Sequence, residues 1–156
     1  MSWHDVLLFD TGSSQWRCGR AEEGGPDVVL PGIPLDEDEA WQRQVEAAIE
    51  QLEATPSECA IILSEPPGTS SDDRERRADF LFELGMLAVH FAAAPVLAIY
   101  DASFDTGMIV DVGERAACFP TIARPMAALV SGGLSRLVGP AEEFADAHDR
   151  LAKLME

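Results

Sequence analysis

The stretch Val6-Leu7-Leu8-Phe9-Asp10-Thr11-Gly12-Ser13-Ser14 decides the fold of this chain. A short apolar run ends in an acid and then in small, turn-forming residues, the pattern of a strand entering a hairpin bend. The expected order is strand, tight turn, strand. Outward from it, Val28-Val29-Leu30 is a third strand held between the breakers Gly24-Gly25-Pro26 and Pro31-Gly32-Ile33-Pro34. Far along the chain, Met108-Ile109-Val110-Asp111-Val112-Gly113 repeats the opening pattern of apolar strand, Asp and Gly turn.

Helical periodicity fills the interval. From Asp36, an expected N-cap with Glu39 three residues later, apolar residues recur at Trp41, Val45, Ala48, Ile49 and Leu52, which predicts an amphipathic helix with an acidic outer face. Ala60-Ile61-Ile62-Leu63 reads as a buried strand stopped by Glu65-Pro66-Pro67-Gly68. Ser70 with Asp73 offers a capping box ahead of Ala78, Leu81, Phe82 and Gly85 at helical spacing. Leu87-Ala88-Val89 is the next strand. Ala92 to Tyr100 is a short helix with Pro95 in its first turn, where a missing N–H costs least. Phe144, His148, Leu151 and Met155 make a last amphipathic stripe. Strands alternating with helices place the chain in the α/β class.

The 156 residues suit one domain with a sizeable core. With 47% hydrophobic and 25% charged residues, the composition is that of a folded protein. Lys plus Arg number 11 against 28 Asp plus Glu, and the net charge of -17 repels phosphate backbones and anionic lipids, so neither nucleic acid nor membrane is an expected partner. Without a long apolar run or a basic start to Met1-Ser2-Trp3-His4-Asp5, the expected location is the cytoplasm, with the nucleus as the alternative. Cys18, Cys59 and Cys118 lack metal or disulfide spacing and read as reduced, mostly buried thiols. His4, His90 and His148 likewise assign no metal, and His90 is expected as a hydrogen-bonded core residue. Trp3 and Trp41 read as core, whereas Trp16, in a polar stretch beside the turn, is the candidate contact aromatic. The run Asp36-Glu37-Asp38-Glu39 reads as a solvated helix start that complements the helix dipole.

Two chemistries compete for Asp10. Phe9-Asp10-Thr11-Gly12-Ser13-Ser14 matches the aspartic-protease motif, in which two carboxylates share a proton, and Asp105-Thr106-Gly107 supplies a second copy. That fold is all-β or about twice as long, which makes the protease a remote alternative. The better reading takes both Asp-Gly turns together. Gly-containing hairpins point N–H groups at phosphate while an Asp at each strand end holds Mg²⁺ through water, so two facing hairpins clamp a triphosphate.

At these residues the chain resembles actin and the actin-related proteins. Leu8 to Ser14 matches the family's first phosphate hairpin, with Arg17 where the family has a phosphate-contacting Lys. Thr106-Gly107-Met108-Ile109-Val110-Asp111-Val112-Gly113-Glu114 matches the second. Ile61-Ile62-Leu63-Ser64-Glu65-Pro66-Pro67 looks like the family's strand and Thr-Glu-Ala-Pro turn, with its helix at Arg74 to Leu84. Pro95-Val96-Leu97-Ala98-Ile99-Tyr100 resembles the helix that ends at the hinge and hydrophobic cleft. The segments are collinear from Val6 to about Pro125.

The resemblance implies a ribonuclease-H-like, actin-type α/β fold: a mixed sheet flanked by helices in one truncated domain, residues 1–156. Residues 1–103 would correspond to the large N-terminal subdomain, and 104–156 to a hairpin and C-terminal helices. It implies a cofactor set of Asp10, Gly12, Ser13, Ser14, Arg17, Asp111, Gly113 and Glu114, with Asp10 and Asp111 reaching Mg²⁺ through water. It also implies a protein-binding set of Ile99, Tyr100 and Phe104. Three departures bear on activity. Leu30 passes almost directly to Asp36, without the loop that contacts the next subunit in actin. Ala94 stands where the family positions water with a Gln, and Arg115 occupies a glycine position. No cofactor is therefore firmly assigned, and Mg-ATP is expected to bind weakly. The expected function is that of a non-polymerising actin-related protein, a cytoskeletal regulator or assembly subunit with a degenerate ATPase site. Its expected partners are actin, profilin-like or gelsolin-like proteins, or a larger assembly. The alternative is a minimal Mg-ATP phosphohydrolase whose cleft is rebuilt by homodimerisation.

Overall fold

The computed structural model describes residues 5–22, 24–33, 37–103, 107–112, 117–118 and 121–122. Strand β1 (Asp5–Thr11) runs into β2 (Gln15–Arg20) and β3 (Val28–Pro31). Helix α1 (Asp38–Gln51) leads to β4 (Cys59–Glu65), and α2 (Ser71–Glu83) to β5 (Ala88–Ala93) and α3 (Ala94–Asp101). These five strands form one sheet in the order β3-β2-β1-β4-β5. β1 pairs antiparallel with β2 and parallel with β4; β2–β3 is antiparallel and β4–β5 parallel. This is the expected α/β arrangement, a mixed sheet flanked by helices. Its helices exclude the all-β protomer that the protease reading of Asp10-Thr11-Gly12 requires.

Parity along β1 decides what the sheet buries, because successive side chains face opposite ways. Leu7, Phe9 and Thr11 are buried while Leu8 and Asp10 are exposed. Trp16 and Cys18 on β2 and Ile61 and Leu63 on β4 join the buried row, and α1 covers it with Trp41, Val45, Ala48 and Ile49. Trp16 is 1% exposed and meets Trp41 edge-on with ring centroids 6.1 Å apart. It is therefore core and not a contact aromatic: its register partner Thr11 fixes it on the inward face, whatever the polarity of its neighbours. Trp41 also meets Phe80 of α2 at 6.0 Å, and the Arg77 guanidinium lies 5.1 Å from its ring centroid. Burial pulls the Arg77 pKa down, while Asp73 and Asp38 act to hold its charge.

Two helix ends differ from expectation. α2 has the expected cap, with the Asp73 N–H donating to Ser70 Oγ at 3.0 Å and Ser70 Oγ donating to the Asp73 carboxylate at 2.6 Å. Gly85, counted on the helical stripe in the sequence, instead ends α2 at φ 98°, a left-handed position that glycine adopts without Cβ strain. α1 starts at Asp38 after Glu37, which makes no side-chain cap, and the proposed cap Asp36 lies outside the described residues. α3 begins at Ala94, two residues later than expected because Ala92 and Ala93 pair in β5, and it keeps Pro95 in its first turn.

His90 is exposed, contrary to the core assignment. In β5 it pairs with Ile62 and so shares the sheet face opposite to Leu63 and Phe91, which α1 and α2 do not cover. The strand expected at Met108–Val112 is split into β6 (Gly107–Met108) and β7 (Asp111–Val112). These pair antiparallel with β9 (Thr121–Ile122) and β8 (Ala117–Cys118). The C-terminal stripe Phe144 to Met155 lies outside the described residues.

Candidate functional site

The β1–β2 turn forms where the apolar run of β1 gives way to small residues. The Gly12 N–H donates to the Gln15 carbonyl at 3.2 Å and closes the turn. The chain leaving β3 lies against it: the Gly32 N–H donates to the Ser14 carbonyl at 2.9 Å. A Cβ on Gly32 would lie 2.2 Å from Ser13 backbone atoms, so only glycine lets the two chains approach this closely. Gly12 and Ser13 are half-buried and Ser14 is exposed at the tip.

Beside the turn, the β1–β4 register brings Asp10 opposite Ser64. Ser64 Oγ donates to Asp10 Oδ1 at 2.6 Å. The Thr11 N–H donates back to Ser64 Oγ at 3.2 Å, and Thr11 Oγ1 donates to the Ser64 carbonyl at 3.1 Å. On the other side Arg17, in register with Asp10, places Nη1 3.5 Å from Asp10 Oδ2. Both of these charged side chains are more than half exposed, so the ion pair contributes little to stability. One residue further along β4, Glu65 is buried and accepts from Arg74 Nε at 2.9 and 2.8 Å, with Nη2 at 2.7 Å. That bidentate bond holds the Arg74 charge firmly, raising its pKa, and ties the end of β4 to α2.

Cys18 lies under the same edge, fully buried, with its thiol pushed up to about 12 by burial and secondarily by the Asp10 charge. It is a neutral packing group and not a nucleophile. Cys18 and Cys59 are both free and buried. Among the described residues no three His, Cys, Asp or Glu side chains are grouped to hold a metal directly.

Asp10, Thr11, Arg17 and Ser64 together offer an exposed carboxylate, a guanidinium and hydroxyls beside the turn. The guanidinium fits phosphate oxygens and the carboxylate a hydrated Mg²⁺, while the Ser64 and Thr11 hydroxyls already donate to Asp10 and to the Ser64 carbonyl. Of the second Asp-Gly turn, Asp111 is in β7 paired with Cys118, its side chain outside the described residues, as are Gly113 and Glu114. In the protein-binding set, Tyr100 is 52% exposed near the end of α3, whereas Ile99 is buried and seats that helix. Ile99 therefore presents no surface to a partner, a correction that follows from the 100° turn between successive helical residues. Phe104 lies outside the described residues.

Ser64 is the residue that reasoning from sequence missed as a site member. Its signal was present only as a hydroxyl at the end of a buried strand, and the register that carries it to Asp10 is a long-range pairing.

The comparisons agree with the fold. The Actin family model matches residues 35–127. Actin-related protein 2 of Acanthamoeba castellanii is 36% identical over 66 residues, covering 42% of this chain and 17% of that protein. Centractin of Schizosaccharomyces pombe is 33% identical over the same length, with the same coverages. Actin-related protein 2 of Arabidopsis thaliana is 30% identical over 154 residues, covering 70% of this chain and 40% of that protein. The chain thus spans between 17% and 40% of the length of these relatives.

Proposed function

The chain belongs to the actin family, and from that premise we propose that it acts by binding cytoskeletal protein partners and not by turning over nucleotide. The observation that carries this reading is Tyr100. The one tyrosine of the chain stands 52% exposed on α3, where an unpartnered aromatic is suited to anchor an amphipathic helix. The partners are actin itself, profilin-like or gelsolin-like proteins, or the subunits of a larger assembly, in the cytoplasm or the nucleus.

Two features weigh against turnover. Asp10 already has Ser64 and Arg17 as partners, and Ala94, at the start of α3, has no group to orient a water. When bound, Mg²⁺ would neutralise phosphate charge at this site; Asp10 would hold its water shell, and Arg17 with the turn would hold phosphate oxygens.

Titration with labelled Mg-ATP, run alongside solution mass, tests the proposal. Weak or absent binding that needs Mg²⁺ and Asp10 is the expected result. Micromolar affinity in a dimer with steady phosphate release would replace the proposal with the phosphohydrolase.

A further inference from the structure

The five-stranded sheet has two edges, and the sequence treats them differently. β3 is short and ends at Pro31, whose carbonyl accepts from the Gln44 side chain of α1. Short strands, proline and a covering element are the usual protection of a sheet edge. β5 lacks them. Ala88 to Ala93 hold one unbroken register with β4 and include no Pro, Lys, Arg, Asp or Glu, and no strand of the described residues pairs with their outer side. Every second residue of such a strand turns its N–H and C=O outward. α2 overlooks this edge. α1 packs against β3 and α2 against β5. Phe80 faces α1 and meets Trp41, whereas Phe82, about 200° further round the helix, faces the other way, toward the open edge, and is 51% exposed. One and two turns before Phe82, on the same side, stand Asp79 and Glu75, both exposed. The cations of α2 point elsewhere: Arg74 to Glu65, Arg76 to Asp38 and Asp73, Arg77 to the Trp41 ring.

We propose that this edge takes up an extended basic segment of a partner protein, added antiparallel to β5 and reading, from its N- to its C-terminal end, basic, any, basic, any, apolar. Backbone pairing with β5 supplies affinity, and the side chains that face α2 supply specificity. The order follows from the geometry. α2 crosses back over the sheet, so its end at Phe82 lies beside the start of β5, where Leu87 is also exposed. An antiparallel strand brings its C-terminal end there, and its apolar residue meets Phe82. Along the helix axis Asp79 lies about 4.5 Å and Glu75 about 10.5 Å from Phe82. Alternate strand residues fall about 6.7 and 13 Å from the apolar one, offsets that a Lys or Arg side chain spans. Charge selects the occupant further. A second copy, pairing β5 with β5, would bring Glu75 and Asp79 against their own counterparts on a body of net charge -17, whereas a basic segment is attracted.

The inference does not depend on the partner-binding role of Tyr100, and the test separates the two. The isotope-labelled full chain is titrated with the peptide Thr-Lys-Thr-Arg-Thr-Leu-Thr, blocked at both ends, and its backbone amide signals are followed by NMR. Saturable shifts should be confined to β5 and α2. The counterpart with Glu in place of Lys and Arg should bind at least about tenfold more weakly. Two further versions carry N-methyl groups on one or the other set of alternate backbone nitrogens; one set faces β5 and should weaken binding at least about tenfold relative to the other. Phe82→Ala should weaken the parent peptide at least about fivefold, Glu75→Lys with Asp79→Lys should reverse the preference between the basic and acidic peptides, and Tyr100→Ala should change neither. Absence of saturable shifts, shifts confined to other surfaces, equal affinity for the basic and acidic peptides, equal effects of the two N-methylated sets, or a chain already dimeric through β5 would each overturn the proposal.

Discussion

Ser64 donates from Oγ to the Asp10 carboxylate at 2.6 Å, a bond between residues 54 positions apart that the parallel β1–β4 register creates. The same Oγ accepts from the Thr11 N–H. One hydroxyl therefore joins the strand end, the turn and the only exposed carboxylate of β1.

Removing it should cost more than removing the charge beside it. Ser64→Ala takes the acceptor from the Thr11 N–H and a donor from Asp10, and should lower stability by about 1–3 kcal/mol. Arg17→Ala breaks only an exposed pair and should cost under about 1 kcal/mol. Urea unfolding of both variants, with unchanged slopes, checks the order; an equal or reversed pair of losses would place the hydroxyl outside any network.

The capping box of α2 gives a pH signature. The Ser70 hydroxyl, followed by Arg76, holds the Asp73 carboxyl below its ordinary value of 3.8. A carboxyl depressed in the folded state stabilises above its unfolded pKa, and the contribution is lost as pH falls through the folded one. Ser70→Ala should therefore cost about 1 kcal/mol at neutral pH. The difference should shrink in acid below about pH 4. Denaturant midpoints of parent and variant at pH 7 and pH 3 read it directly.

Cys18 gives the opposite edge of the pH range. Its thiol, raised from 9.0 to about 12, is neutral in the folded state and ionises first in the unfolded one. Its contribution is thus complete below pH 9 and declines above it, by on the order of 2 kcal/mol at about pH 10.5. Cys18→Ala should flatten the alkaline slope of stability. In a Cys118→Ser background, neither Cys18 nor Cys59 should react with a disulfide reagent at pH 8 until denaturant is added.

The connection from β3 to α1 predicts assembly behaviour. β3 ends at Pro31 and α1 begins at Asp38, too short an interval for the subunit-contacting loop that the actin resemblance implies for a polymerising chain. The chain should stay in the supernatant when sedimented with Mg-ATP and salt, and regular filaments in the electron microscope would contradict this.

Much of this architecture was legible because local chemistry and tertiary demand coincide. The Val6–Phe9 run and its turn, the Ser70 cap and Pro95 at the head of α3 each satisfy a local rule that the fold also uses. What stayed hidden depends on register. Trp16 is core because β2 pairs it with Thr11, and His90 is exposed because β5 pairs it with Ile62; neither pairing is written in its neighbours. The site shows the same division: Asp10 and Arg17 stood out as charges beside a Gly turn, while Ser64 became visible only through β1–β4 pairing.

The central claim, that this chain works through a protein contact at Tyr100, is tested most directly by the affinity of parent and Tyr100→Ala for actin, a profilin-like and a gelsolin-like protein, measured beside the unfolding midpoint. Because Tyr100 is 52% exposed, its truncation should leave the midpoint nearly unchanged. Loss of an anchoring aromatic of about 2 kcal/mol should weaken binding at least tenfold. Equal affinities for parent and variant, or no binding by the parent to any of the three, would contradict the account.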